Sequence, residues 1–155
     1  MDTSADLIPF RMFHTCLIVP SLEDAMDELL PAHPGGWAEI VEAEVAMEYR
    51  GGNQTVTARY TYSQEEPSHM ELIQRVPGSV WDADPGTPHH VGYWVSDLAA
   101  ASEQLEANGY TREAIGGPTD LEEPIFTYHL SPSGFRVELV SDSFEAALIG
   151  WLRGE

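Results

Sequence analysis

The chain has 155 residues, 43% of them hydrophobic and 21% charged, and at this length a folded domain buries roughly 70% of the surface its unfolded chain exposes. Aspartate and glutamate number 26 against seven arginines and no lysine, so the net charge of −19 sets up a field that repels nucleic acid and anionic membrane surfaces. No run approaches the ~20 apolar residues of a membrane span, Met1-Asp2-Thr3-Ser4-Ala5-Asp6 is acidic where a signal peptide is basic, and the chain reads as cytoplasmic. Cys16 is the only cysteine, which excludes an intrachain disulfide and a zinc site built from cysteine clusters.

In chain order, an apolar, β-prone run over 13–19 leads to Ser21 as a helix cap and to a helical pattern of Leu22, Ala25, Met26, Leu29 and Leu30. After a loop at 31–37, two strands are expected at about 41–50 and 55–63, hinged at Gly51-Gly52-Asn53. The sequon Asn53-Gln54-Thr55 falls in that hairpin and reads as a turn. A short run, His69-Met70-Glu71-Leu72-Ile73, closes the set. Residues 76–88, with three prolines and two glycines, read as a linker.

The same order then returns. A strand at 89–95 leads to Asp97 as a cap, to a helix through Leu98, Ala101 and Leu105 that stops at Asn108-Gly109, and to strands at about 110–115 and 125–130. Ser131-Pro132-Ser133-Gly134 turns into the last strand, Arg136-Val137-Glu138-Leu139-Val140. Residues 143–152 suit a short amphipathic helix capped by Ser143.

The recurrence is a duplication: the first strands are offset by 76 positions (His14 to His90) and the last by 67 (Glu71 to Glu138). The nine-residue surplus of the first half is assigned to 31–37. The chain thus divides into a module at 1–75, the linker 76–88, a second module at 89–141 and a C-terminal helix at 142–155.

Alternation along a strand assigns faces. His14, Cys16, Ile18, Glu71, Ile73, His90, Gly92, Trp94, Arg136, Glu138 and Val140 share one face. Phe13, Leu17, Val19, Leu72, Tyr93, Val95, Val137 and Leu139 form the other, apolar enough for the helices to pack on. Two imidazoles and two carboxylates therefore sit at repeat-related positions inside otherwise apolar strands. Such groups are costly to bury unless paired or bound to metal, and two nitrogens with two carboxylate oxygens suit a divalent transition metal.

These motifs, FHTCLIVPSLEDA, HMELIQ, HHVGYWVSDLAAA and SPSGFRVELVS, resemble the vicinal oxygen chelate superfamily of glyoxalases, methylmalonyl-CoA epimerases, extradiol dioxygenases and antibiotic-resistance proteins. The resemblance covers about 13–141. It implies an α+β fold of two βαβββ modules whose curved mixed sheet encloses a metal-binding cleft, with His14, Glu71, His90 and Glu138 as ligands. The metal implied is one of zinc, nickel, cobalt, manganese or iron. A His/Glu/His/Glu set looks most like a glyoxalase; the epimerases resemble it with Gln commonly at the position of Glu71, and a dioxygenase-like site leaves Glu71 as an extra ligand. The implied chemistry is proton transfer next to a carbonyl, with Glu138, rather than Glu71, as the carboxylate that takes and returns the proton.

Small molecules are the expected partners, and a homodimer the expected assembly. Trp94, Arg136 and Tyr128 are candidate substrate-binding residues, and an aromatic-lined pocket also drawing on Tyr60, Tyr62 and Phe126 competes with simple core packing for the aromatic set. His69 shares the face of Glu71 and is a candidate donor to a ligand carboxylate; His89 is a packing or supporting residue, His33 and His129 are partly exposed, and Cys16 is a small buried filler. Two other functions stay open: a non-catalytic binding or resistance protein for an aromatic metabolite or antibiotic, and an extradiol ring-cleavage dioxygenase.

Overall fold

The computed structural model describes residues 7–155, so the acidic stretch at 1–6 lies outside the described residues. The first module runs β1 (Arg11–Val19), α1 (Leu22–Leu29), β2 (Val41–Tyr49), β3 (Gly52–Tyr62) and β4 (His69–Gln74). The second runs β5 (Pro88–Val95), α2 (Leu98–Ala107), β6 (Thr111–Pro118), β7 (Phe126–Leu130) and β8 (Arg136–Ser141), and α3 (Glu145–Leu152) follows. Side chains at equivalent positions cap the helix of each module. Ser21 accepts from the Asp24 amide at 3.3 Å and Asp97 from the Ala100 amide at 3.0 Å, each satisfying an amide that the first helical turn leaves without a partner.

Each module contributes four strands, and both edges join within one chain, giving a closed barrel in the order β1-β4-β3-β2-β6-β7-β8-β5. The first and last strands of each module pair in parallel, β1 with β4 and β5 with β8. The modules meet antiparallel at two seams, β1 with β5 and β2 with β6. Closure removes every free sheet edge, the usual route to unwanted pairing. It also divides the apolar residues into an interior cluster and two outer ones. Val19 and Leu72 of the strands pack with Leu22 of α1, and Val95 and Leu139 with Ala101 and Leu105 of α2. No helix among the described residues is long and apolar enough to cross a membrane.

The second seam depends on one glycine. Gly116 faces Met47, and a Cβ built there would lie 2.4 Å from the Ala46 carbonyl oxygen and 2.7 Å from the Met47 Cβ. Backbone cannot yield to that contact cheaply. Gly116→Ala is therefore expected to destabilise the protein by about 1–3 kcal/mol, read from urea unfolding, as overpacked cores do. A stability equal to the parent's would show that the seam gives way.

Several boundaries differ from the sequence expectation, each for a local reason. The β2–β3 hairpin turns one or two residues earlier, at Arg50-Gly51, both at positive φ (50° and 82°), because a two-residue hairpin turn asks for that conformation twice. Most of the first module's surplus does lie between α1 and β2, where a 3-10 turn at Leu30–Ala32 occupies part of the loop. The segment before β5 is no free spacer: Val80 and Trp81 are buried in the interior, and Pro88 already belongs to β5. Ser143 does not cap α3; it lies within a 3-10 turn, Asp142–Phe144, capped by Ser141, whose hydroxyl accepts the Ser143 amide.

Candidate active site

Inside the barrel, β1, β4, β5 and β8 each bring one ionisable side chain to a common point. His14 and His90 Nε2 are 2.9 Å apart, and Glu138 Oε1 lies 3.1 Å from the first and 3.4 Å from the second. Glu71 Oε1 is 3.3 Å from both. All four residues are buried, at 1% exposure for His14 and 7% for Glu138. Groups this close and this dry are expensive apart from a shared partner.

Alternation alone does not produce this arrangement, because β1 and β5 are bulged against each other. Pairing passes from Met12 to His14 opposite consecutive residues of β5, leaving Phe13 extra; it passes from His90 to Pro88 opposite consecutive residues of β1, leaving His89 extra. The two bulges are repeat-equivalent, each falling on the residue before a converging histidine. Bulges turn a strand locally and re-aim side chains. Hence Phe13 belongs to the interior, not to the helix-packing face; its ring stacks on Trp94 at 3.9 Å between centroids.

Small residues make room for the imidazoles. Gly92 stands opposite His14 and Cys16 opposite His90, again equivalent positions. A Cβ on Gly92 would come within 1.9 Å of His14 Cε1, so no side chain fits there while His14 keeps its place. Cys16 is fully buried and its thiol is pushed up by burial, then by the two carboxylates, which leaves it a neutral filler.

His89 supports His90. Their Nδ1 atoms are 2.8 Å apart, and His89 Nε2 is 2.7 Å from the Val80 carbonyl oxygen. The partners assign the hydrogens: His89 donates from Nε2 to Val80, so its Nδ1 accepts from His90, and the His90 Nε2 lone pair is free to face the other three groups. Burial, then the neighbouring His90 and Arg136, lower His89 to about 3 and keep it neutral. Cys16, His89 and His90 also form a cluster of donor atoms, but it shares His90 with the first group and its two Nδ1 atoms are already bonded to each other.

Other candidates sit elsewhere. Trp94 and Tyr128 line the interior cavity together with both glutamates. Arg136, at the first residue of β8, does not: it pairs with Glu113 at 2.7 and 3.0 Å and reaches the His89 carbonyl oxygen at 3.3 Å. His69 is half-buried and its Nδ1 donates to the Ser63 carbonyl oxygen at 2.8 Å, with no bond to a carboxylate. His33 pairs with Glu65 on the periphery. His129 is fully buried instead of partly exposed, because β7 carries it under α2, where the Ser102 hydroxyl lies 2.9 Å away. Sequence reasoning missed Trp81, whose indole donates to the Tyr128 hydroxyl at 3.0 Å, since it lies in a stretch that reads as linker.

The four converging groups can hold a metal ion. A divalent ion at ~2.1 Å from nitrogen and oxygen donors separates them by about 3.0 Å when octahedral neighbours and about 3.4 Å when tetrahedral, the spread found here. Two buried atoms add to the fit: Glu71 Oε1 has no hydrogen-bond partner, and His90 Nε2 is freed by its tautomer.

Without metal, protons must take that place. Burial opposes a charge on His14, but Glu71 and Glu138 outweigh it and raise the imidazole to about 9; both carboxylates, although burial acts the other way, are held below the usual range by the histidines. The sign follows from linkage. His14 contributes stability that is complete below its unfolded value of about 6.5 and lost as pH rises through 9. His89 and His129, lowered to about 3 and about 4 chiefly by burial, take stability away as pH falls below about 6.5. Metal-free protein is therefore expected to be most stable near pH 6.5, read from melting temperature against pH. Chelated and metal-loaded samples giving the same alkaline limb would contradict this.

With fold and site in view, comparison with known proteins gives one family. Residues 13–128 match the model of the Glyoxalase/Bleomycin resistance protein/Dioxygenase superfamily, and the chain belongs to that superfamily. Its fold is shared with the crystal structure of methylmalonyl-CoA epimerase from Mycobacterium tuberculosis, at 14% identity and a TM-score of 0.60 over 91% of each chain. A selenomethionine methylmalonyl-CoA epimerase structure matches at 14% identity and a TM-score of 0.53, over 87% of this chain and 97% of that one. Glyoxalase I from Leishmania major matches at 14% identity and a TM-score of 0.34, over 93% of this chain and 97% of that one. No curated protein sequence matches.

Proposed function

We propose that the protein is a metal-dependent lyase or isomerase of the glyoxalase and epimerase type, with His14, Glu71, His90 and Glu138 as the ligands. One observation carries the reading: four donor atoms from four strands, two per module, converge with mutual distances of 2.9 to 3.4 Å in the five pairs measured. A divalent ion held there would draw electrons from a substrate carbonyl and so acidify the neighbouring C–H bond. Methylmalonyl-CoA epimerase among the structural neighbours supports this class of reaction.

The chain's own residues supply the proton handling. Glu138 and Glu71 both line the cavity, so a carbon beside the metal-facing oxygens meets a carboxylate on either side. Glu138 takes the proton from that carbon and returns it to the same or the adjacent carbon. The histidines hold position: His90 through His89 and Val80, His14 through the absence of a side chain at Gly92. Stacked Phe13 and Trp94 and the buried Trp81 keep bulk water from the reacting carbon.

The test is hydrogen exchange in deuterium oxide. Protein loaded in turn with zinc, nickel, cobalt, manganese or iron is incubated with α-hydroxyketones, α-hydroxyaldehydes and methylmalonyl-CoA, and deuterium next to the carbonyl is followed by mass spectrometry. Exchange that needs metal and falls by at least 100-fold in Glu138→Gln is expected. No uptake of any metal, or exchange indifferent to Glu138→Gln, would overturn the reading.

A further inference from the structure

The cavity beside the quartet restricts what it admits. Its aromatic wall includes Phe13, Tyr62, Trp81, Trp94, Phe126 and Tyr128, and its only charged residues are Glu71 and Glu138. None of the seven arginines lines it, and the chain has no lysine. Arg11, Arg59, Arg75 and Arg136 are committed to Glu145, Glu23, Asp82 and Glu113, none of which lines the cavity.

An anionic ligand thus finds no arginine or lysine in the cavity. Two carboxylates cancel the charge of a divalent ion, so even the loaded site offers no net attraction, and an unpaired anion in an apolar cavity is costly. The volume is about 90 Å³, below the roughly 150 Å³ of an engineered cavity that holds benzene. Phe144 and Leu148, next to and on α3, form part of the wall, and α3 is tied to β1 at its N-terminal end by the exposed Arg11–Glu145 pair. A ring-sized body therefore fits only where a wall side chain yields, and Leu148 on α3 is one such side chain.

Resting on the metal-dependent reading above, we infer that the site takes a small uncharged hydroxyketone or diketone with a hydrocarbon body, and not a coenzyme A or glutathione conjugate. The oxygens face the quartet, and the hydrocarbon lies along Phe13, Trp94 and Trp81. Leu148 then sets the upper size.

Calorimetric titration tests this with zinc-loaded protein and four probes: acetoin, 1-phenyl-1,2-propanedione, acetyl-CoA and glutathione. Acetoin is expected to bind at least 10-fold more tightly than the two anionic probes, and Leu148→Ala to tighten the phenyl compound at least 3-fold relative to acetoin. Acetyl-CoA or glutathione binding as tightly as acetoin would overturn the ligand class. An unchanged ratio in a folded Leu148→Ala protein would overturn the role of Leu148. A zinc titration run first separates the two readings: neutral probes that bind equally well to chelated protein would refute the metal and leave the ligand class standing.

Discussion

Gly92→Ala is expected to lose metal affinity by 100-fold or more while the barrel still forms. Nothing about Gly92 is chemical; its role is the space it leaves. An alanine Cβ would stand 1.9 Å from His14 Cε1 and 2.5 Å from its Nε2, and His14 is fully packed, with the Phe13 ring at 4.3 Å and Tyr62 at 5.4 Å between centroids. The imidazole must swing away, and its nitrogen leaves the quartet. Losing only a hydrogen-bond partner of a ligand typically costs 10–100-fold in metal affinity, so losing the ligand's position sets a higher floor. The same crowding is expected to destabilise the metal-free protein by about 1–3 kcal/mol. Zinc calorimetry and urea unfolding measure the two effects, and a double-mutant cycle with His14→Ala isolates their cause. If the clash is responsible, Gly92→Ala costs almost nothing in the His14→Ala background. A full cost there would show that the glycine serves the backbone instead.

That glycine marks where reading the sequence reaches its end. The duplication of 76 and 67 positions was legible because strands, caps and helices recur in order, and the α+β barrel follows from it. The four polar residues stood out because each interrupts an apolar strand. Which way their neighbours point was not legible. Period-two alternation places Phe13 opposite His14 and His89 opposite His90, yet bulges at both positions turn each pair inward. A bulge depends on the register between two strands 76 residues apart, and no local pattern announces it. Arg136 fails for a related reason: it shares alternation with Glu138 but stands at the strand's first residue, where Glu113, 23 residues away in sequence, takes its guanidinium. Trp81 was hidden by composition, since prolines and glycines on either side disguise a segment that enters the core.

The closed barrel also changes how the two carboxylates compare. Cys16 pairs with Glu71 across β1 and β4, and Gly92 with Glu138 across β5 and β8, so the glutamates hold equivalent places. Both face the same two imidazoles at 3.1 to 3.4 Å, and Glu71 Oε1 is buried without a hydrogen-bond partner. Such an oxygen is stabilised by whatever cation or proton it meets, which makes Glu71 a sensitive probe of the metal.

Glu71→Leu should lower zinc and nickel affinity by about 10-fold or more, whereas Glu71→Gln should weaken it only moderately, since an amide oxygen still coordinates. Charge sharpens the contrast. In metal-free protein Glu71 and Glu138 together raise His14 to about 9, so metal binding near neutral pH must expel that proton. Taking Glu71 away lowers His14 toward its ordinary value and reduces the proton release, which calorimetry in buffers of different ionisation enthalpy detects. A ligand role therefore predicts two changes together in Glu71→Leu: weaker metal and fewer protons released. A site needing only three ligands predicts unchanged affinity with fewer protons. A protein that binds no metal predicts neither, and leucine in that partly apolar cavity would then raise stability by removing a buried carboxylate. Equal affinity across parent, Gln and Leu proteins would remove Glu71 from the ligand set and leave the metal to His14, His90 and Glu138.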